Sequence, residues 1–136
     1  MITIGIDPHK NSLTAVALEP GSQSHPPLRV VVDTNTSASL LAWAKQWPDR
    51  QWAVEGANGA GRPLAQRLLE TGEHVVDVPA KLAARVRLFD TGHNRKTDAL
   101  DAHSIAIVAV RTEGLRVLKA DGELEAMRML TDPGHT

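Results

Sequence analysis

The apolar positions in the first part of the chain come in short runs that predict strands. Ile2–Ile6 is a nearly continuous apolar run, typical of a strand covered on both faces. Two further runs, Leu13–Leu18 and Leu28–Val32, follow a turn at residues 8–11 and a loop at residues 19–27 rich in Gly, Ser and Pro. Because these connections are short, the three strands are expected to pair antiparallel with their chain neighbours.

The pattern then changes to an alternation of helices and strands. The spacing of the apolar residues predicts a helix over Leu40–Trp47, capped by Thr36 or Ser37 and stopped by Pro48. Strands are predicted over Gln51–Val54 and His74–Val78, and helices over Arg62–Thr71, Lys81–Phe89 and Asp98–Thr112. Such alternation favours parallel strands with covering helices. The predicted fold is therefore α/β, with a mixed five-stranded sheet and helices on both faces.

The last part of the chain predicts a change of organisation. Leu115–Leu118 is interpreted as a short strand, and Gly122–Leu130 as the start of another helix. The predicted domain therefore covers residues 1–118, and residues 119–136 form a truncated linker helix and tail. The apolar stripe of the last helix favours self-association into a homo-oligomer, although such a stripe is as often packed on its own core.

Composition limits the classes of function. A chain of 136 residues with 42% hydrophobic content can bury an autonomous core. With one Phe, three Trp and no Tyr, that core must be aliphatic, and an aromatic platform for base stacking is disfavoured. The absence of Cys excludes disulfides and thiolate metal sites. Because the sequence shows neither a signal peptide nor an apolar run of ~20 residues, a cytoplasmic protein without a membrane span is expected.

The net charge of −1 does not indicate a nucleic-acid binder, but the distribution of charge is uneven. Residues 81–96 contain one acid, Asp90, and five basic residues: Lys81, Arg85, Arg87, Arg95 and Lys96. A local basic strip suits contact with phosphates. An ordinary solvated helix face explains the strip equally well.

Four acidic residues stand where they could meet in space. Asp7 and Glu55 each end an apolar run, and Asp98 and Asp101 lie three residues apart on a predicted helix. Four carboxylates can share a small volume only if they are protonated or hold a cation. An all-carboxylate set without Cys suits Mg²⁺ or Mn²⁺ better than zinc.

Each acid also has an ordinary structural explanation. Asp7 could begin a turn before Pro8, and Glu55 could be a surface acid before a glycine-rich loop. Asp98 would be favoured by the dipole in the first turn of a helix. Asp101 is harder to explain in this way, because its helix is largely apolar and an isolated carboxylate there is costly.

Three sequence motifs carry a resemblance to a known family. They are residues 5–10 (Gly-Ile-Asp-Pro-His-Lys), residues 54–59 (Val-Glu-Gly-Ala-Asn-Gly) and residues 95–106 (Arg-Lys-Thr-Asp-Ala-Leu-Asp-Ala-His-Ser-Ile-Ala). In this order and spacing they resemble the N-terminal domain of the DEDD insertion-sequence transposases. That family is related to the Piv DNA invertases, and its domain is similar to the RuvC Holliday-junction resolvase, which has a ribonuclease H-like fold.

The resemblance implies roles for individual residues. Asp7, Glu55, Asp98 and Asp101 would be the catalytic, metal-binding acids. The family recombines DNA with a divalent cation and, in some members, a structured guide RNA. It also implies a second domain with a serine nucleophile, which is expected to be missing here, so that full strand exchange by this chain alone is not expected. Basic residues near the acids are predicted to hold phosphates: Lys10, Arg62, Arg95 and Lys96.

Other functions remain open at this point. The chain could be a non-catalytic nucleic-acid-binding or assembly fragment, or an autonomous RuvC-like junction nuclease. Half of an actin-like phosphotransferase is a third reading. That reading predicts ATP binding, and the sequence lacks the adenine-site glycine motif that it would require. The glycine-rich loop at residues 56–61 also lacks the Gly-Lys-Ser/Thr ending of a nucleotide P-loop, so a P-loop is disfavoured.

Overall fold

The chain forms five strands and three named helices within the residues that the computed structural model describes. These are residues 1–21, 23–56, 59–83 and 98–119, with the backbone alone described at residues 98–100. The strands are β1 (Ile2–Pro8), β2 (Ser12–Leu18), β3 (Leu28–Val31), β4 (Arg50–Glu55) and β5 (Val75–Val78). The helices are α1 (Thr36–Ala44), α2 (Arg62–Glu70) and α3 (Asp98–Arg111). In these residues no helix has the length and apolar character needed to cross a bilayer.

The strands form one mixed sheet in the order β3-β2-β1-β4-β5. β1 pairs antiparallel with β2, and β2 pairs antiparallel with β3. β1 pairs parallel with β4, and β4 pairs parallel with β5. The predicted mixed five-stranded sheet is therefore confirmed, including the antiparallel start and the parallel pairing that the later helix–strand alternation favoured.

The two faces of the sheet are packed differently. Side chains alternate along a strand, so residues two apart share a face. Ile4, Ile6 and Trp52 are fully buried in a large aliphatic cluster with residues of α1 and α2. Ala53 belongs to a second cluster that contains Ile105 of α3. Helices α1 and α2 therefore cover one face of the sheet, and α3 covers the other.

Helix α3 lies directly on β1 because β1 carries a glycine at the contact. A Cβ atom added to Gly5 would lie 2.2 Å from the carbonyl oxygen of Ala102 and 2.8 Å from the backbone nitrogen of Ala106. Both of these residues are buried on α3. The absence of a side chain at Gly5 thus sets the depth at which α3 packs on the sheet.

Helix α1 differs from its prediction at both ends. It begins at Thr36, with Asn35 as the N-cap residue and no side-chain capping bond, so the predicted cap at Thr36 or Ser37 is wrong. The Thr36 hydroxyl instead donates to the carbonyl of Val31 at 3.2 Å and accepts from the backbone N–H of Asp33 at 2.7 Å. The hydroxyl is used to close the preceding turn, which leaves the helix start to the backbone.

The predicted C-terminal elements have different outcomes. Of the helix predicted over Lys81–Phe89, residues 80–83 are helical and the rest lie outside the described residues. The strand predicted over Leu115–Leu118 is reduced to a single antiparallel bridge between Val117 and Val76, at the edge of β5. The last predicted helix and its apolar stripe lie outside the described residues.

A polar cluster joins β4 to the end of α2. Arg50 donates to both carboxylate oxygens of Glu73 at 2.9 Å, and the Trp52 indole donates to the same carboxylate at 2.6 Å. The side chains of Arg50 and Glu73 are 17% and 14% exposed. Their bidentate geometry in a mostly buried position makes this pair sensitive to loss of either partner.

Replacing Gly5 with Ala is expected to destabilise the fold. The added Cβ would collide with the α3 backbone, which cannot rotate away as a side chain could, so a loss of about 1–3 kcal/mol is expected in urea unfolding. Gly21→Ala is the matched control, because a Cβ atom there has nothing within 4 Å. Equal unfolding midpoints for the two variants would contradict the close contact.

Replacing Glu73 with Ala is expected to cost roughly 3 kcal/mol of unfolding free energy, because the Arg50 guanidinium and the Trp52 indole lose a shared acceptor in a mostly buried place. Glu70→Ala, an exposed position in the last turn of α2, should change stability by less than ~0.5 kcal/mol. Thermal or urea unfolding of both variants makes the comparison, and a Glu73→Ala loss no larger than that of Glu70→Ala would refute the role of the cluster.

Candidate functional site

Two of the predicted acids lie side by side at the carboxyl ends of neighbouring parallel strands. The register pairs Ile6 with Val54, so that the next residues, Asp7 and Glu55, occupy adjacent positions. Adjacent strands lie about 4.8 Å apart. Asp7 alternates with Gly5 and Glu55 with Ala53, so both carboxylates are on the α3 face of the sheet.

The third acid, Asp101, lies on α3 next to the point where this helix crosses β1. Gly5 lies against both Ala102 and Ala106. Ala106 and Ile107 also cluster with Leu18, which pairs with the early β1 residue Thr3. Helix α3 therefore runs from the Asp7 end of β1 towards its beginning. Asp101 precedes Ala102 and so lies on the Asp7 side of the contact.

The fourth acid, Asp98, is the first residue of α3, and its side chain lies outside the described residues. Its backbone precedes Asp101 by three residues of helix, which is nearly one turn. The fold thus brings Asp7, Glu55 and Asp101 to one face and one end of the sheet, with the backbone of Asp98 farther along the helix at the same end.

Burial makes the electrostatics of this group demanding. Asp7 is 5% exposed and Asp101 is 1% exposed, and Glu55 is half-buried. Carboxylates that share a poorly solvated face repel one another unless cationic or hydrogen-bonding groups compensate for the charge. The contact of His9 with Asp7 supplies one such group, and a bound cation could supply further compensation.

The carboxylates at this site are the type of ligand that binds a hard divalent cation, although they do not yet form a complete binding group. Carboxylate oxygens are the ligands that Mg²⁺ and Mn²⁺ prefer. Within the described part of the chain, no three His, Cys, Asp or Glu side chains already form a group that could hold a metal ion. To bind one cation together, Asp7, Glu55 and Asp101 would thus have to come closer to one another than they lie here.

Glu55 owes its position to the sharp end of β4. Gly56 has φ +65°, a left-handed conformation that favours glycine, and its N–H donates to the carbonyl of Val78 at 3.4 Å. The carbonyl of Gly56 then accepts from the N–H of Gly59 at 2.7 Å and of Gly61 at 3.2 Å. The chain turns away directly after Glu55, which leaves its side chain at the rim of the sheet.

The structure adds one residue that the sequence pattern did not assign to the site. His9 follows Asp7 by two residues, and its Nε2 lies 2.9 Å from Oδ2 of Asp7. The His9 side chain is 32% exposed, so its ring is partly buried beside this carboxylate. In the sequence, the only indication of this contact is that His9 lies two residues after Asp7, with Pro8 between them. The turn geometry then brings the His9 ring next to the Asp7 carboxylate.

The predicted basic residues divide into two groups. Lys10 is exposed in the turn after β1, and Arg62 is exposed as the first residue of α2. Both stand near the strand ends that carry Asp7 and Glu55. Arg95 and Lys96 lie outside the described residues, so their predicted phosphate contacts remain predictions.

Comparisons with known proteins agree with this architecture. A family model of IS110-type DEDD transposases, described as "Transposase", matches residues 4–133. The chain is 30% identical over 132 residues to a 44.8 kDa uncharacterized protein of insertion element IS116 from Streptomyces clavuligerus, covering 96% of this chain and 33% of that protein. It therefore spans about a third of the length of this relative.

Solved structures of similar fold include two of RuvC from Thermus thermophilus. The structure in complex with a Holliday junction substrate has a TM-score of 0.65 and 15% identity, covering 87% of this chain and 99% of that chain. A second RuvC structure has a TM-score of 0.64, 15% identity, and coverage of 87% and 100%. At this identity the likeness shows a ribonuclease H-like fold of the RuvC type.

Proposed function

The chain belongs to the IS110-type DEDD transposase family, and from this premise we propose that it is a metal-dependent catalytic domain that acts on phosphodiester bonds of DNA. One observation carries the proposal: Asp7, Glu55 and Asp101 share one face and one end of the sheet, and two of them are buried. Carboxylates on one poorly solvated face need compensation from hydrogen-bond donors or positive charge, and a divalent cation is a group of the second kind.

In this proposal the four acids, with Asp98 completing the set, bind Mg²⁺ or Mn²⁺. The bound cation would neutralise charge on the phosphate oxygens and lower the pKa of the attacking water or hydroxyl. Asp7 and Asp101 are held by the packing of α3 on β1, and His9 orients the Asp7 carboxylate through their contact. Lys10 and Arg62, together with Arg95 and Lys96, hold the neighbouring phosphates of the DNA.

The activity of the whole protein is a wider proposal, because the chain spans about a third of its matched relative. Full strand exchange would require a further domain with a serine nucleophile, and a structured guide RNA and a homo-oligomer would be its partners. The division into a domain at residues 1–118 and a linker helix from residue 119 belongs to the same proposal. The chain alone is proposed to supply the metal-binding half of the reaction.

A second candidate is a non-catalytic module that binds nucleic acid or assembles the recombinase. One observation favours it: Lys10 and Arg62 are exposed and can contact phosphates without any bond being cleaved. An autonomous junction nuclease is the opposite extreme, and branched DNA separates the two. The RuvC relative is described with a Holliday junction substrate, so such a junction is the suitable probe.

Mg²⁺ is expected to raise the melting temperature by relieving repulsion among the acids. At ten times its Kd, a cation that binds only the folded state adds about 1.4 kcal/mol, or roughly 5 °C for a chain of this length. Asp7→Asn should reduce this rise, and Asp49→Asn should keep it, because Asp49 is 82% exposed at the opposite end of β4. A flat titration with both Mg²⁺ and Mn²⁺ would count against the proposal.

Cleavage of a labelled Holliday junction by the purified chain is expected with Mg²⁺ or Mn²⁺ and is expected to stop with EDTA. Asp101→Asn should lower the single-turnover rate by at least roughly 100-fold, because loss of an outer-shell partner of a metal ligand already costs 10- to 100-fold. Asp49→Asn again serves as the control. Junction binding without cleavage in either metal would favour the non-catalytic module.

A further inference from the structure

A cavity of about 270 Å³ lies on the opposite face of the sheet from the acids, at the same end of β1. Its walls come from the turn after β1 and from the first turns of α1 and α2, including Thr36 and Pro63. Pro8 faces this side, since it pairs with Leu13, a residue of the core beneath α1 and α2. The cavity and the acids are thus separated only by the end of β1.

The charged rim of the cavity is suited to an anion. Lys10 and Arg67 are exposed and line it, and Asp33 is the one acid among the described lining residues. A carboxylate oxygen of Asp33 already accepts the backbone N–H of Asn35 at 2.7 Å. Lys10 and Arg67 still give the rim a net positive charge after the negative charge of Asp33 is counted, and a phosphate group complements that charge.

The floor and the volume of the cavity limit what can accompany that phosphate. Pro8, Leu13 and Leu64 supply apolar surface below the rim. A volume of about 270 Å³ is below the ~300–1,000 Å³ of pockets that hold drug-sized ligands. One sugar–phosphate unit, with its sugar against the apolar floor and its phosphate at the rim, suits this shape better than a whole nucleoside triphosphate.

His9 connects the cavity to the acids. It lines the cavity while its Nε2 contacts the Asp7 carboxylate at 2.9 Å. Ligands of α/β sheets bind in the crevice outside the carboxyl ends of the strands. A strand that presents one phosphodiester to the acids can pass over the end of β1 and reach the cavity with a neighbouring unit.

We infer that this cavity binds a sugar–phosphate unit of the DNA strand beside the one at the acids, with Lys10 and Arg67 holding its phosphate. The inference rests on the proposed function, because it takes the DNA to be positioned by the acids. In this arrangement, the α1–α2 face of the sheet helps to determine which phosphodiester of the DNA strand lies at the acids.

Binding of the purified chain to fluorescein-labelled single-stranded DNA tests this site, with EDTA present to prevent cleavage and with salt varied. Arg67→Gln should weaken binding roughly fivefold and reduce the slope of log K against log salt by about 0.7, the value for one lost phosphate contact on a single strand. Arg111→Gln, an exposed change in the last turn of α3, should leave both values unaltered.

A second variant fills the cavity without removing charge. Ser37→Phe places a ring in the lining and should weaken binding by a similar factor, whereas Ser39→Phe, exposed on the same helix, should not. Melting curves verify that each variant is folded. Wild-type affinity and slope in both Arg67→Gln and Ser37→Phe, or equal losses in their controls, would overturn the inference.

An RNA strand of the same sequence separates the two sources of sugar–phosphate. An effect of the cavity variants on DNA supports the inference, and an effect confined to RNA overturns the assignment to DNA. The metal titration of the wild-type chain is independent of these measurements. A flat titration with cavity-dependent DNA binding would remove the catalytic proposal and keep the cavity, and the reverse result would do the opposite.

Discussion

The packing of α3 against β1 at Gly5 is the constraint on which the rest of the arrangement depends. The α3 backbone comes so close to the strand that a single Cβ atom would be 2.2 Å from the carbonyl of Ala102. The same contact buries Ile105 against Ala53 of the next strand and holds Asp101 on the Asp7 side of the crossing. The apolar packing of α3 on the sheet therefore also fixes the position of Asp101 relative to Asp7, and apolar burial offsets part of the repulsion between carboxylates.

The two faces of the sheet carry different kinds of residues. The face beneath α1 and α2 carries most of the aliphatic core, with Trp52 and Leu68 fully buried and Glu73 tying β4 to the end of α2. On the α3 face, the two central strands carry Gly5 and Ala53 beneath the helix, which leaves room for the helix close to the sheet. The end of β1 belongs to both faces, because Asp7 lies on one and Pro8 on the other. A short turn there can therefore affect both the acids and the cavity.

RuvC has a similar fold at only 15% sequence identity, and the physical requirements of the sheet explain how this is possible. Most positions of the sheet need only an apolar side chain of suitable size, and many sequences satisfy that requirement. The constraints that are hard to satisfy otherwise are few: a residue without a side chain at Gly5, acids at the ends of β1 and β4, and a left-handed residue after Glu55.

Much of the fold could be predicted from the sequence, because alternation and helical spacing report which side of an element is apolar. The mixed five-stranded sheet, its helices and the candidate acids came from such local patterns and from three short motifs, whereas the order of the strands came only from the structure. The cap of α1, the contact of His9 with Asp7 and the cavity beside Lys10 did not, since each joins groups whose distance depends on how separate elements pack. The sequence by itself determined which residues carry charge at the strand ends; only the tertiary structure decided which of them face one another, because a side chain's neighbours across a sheet are set by register and helix depth.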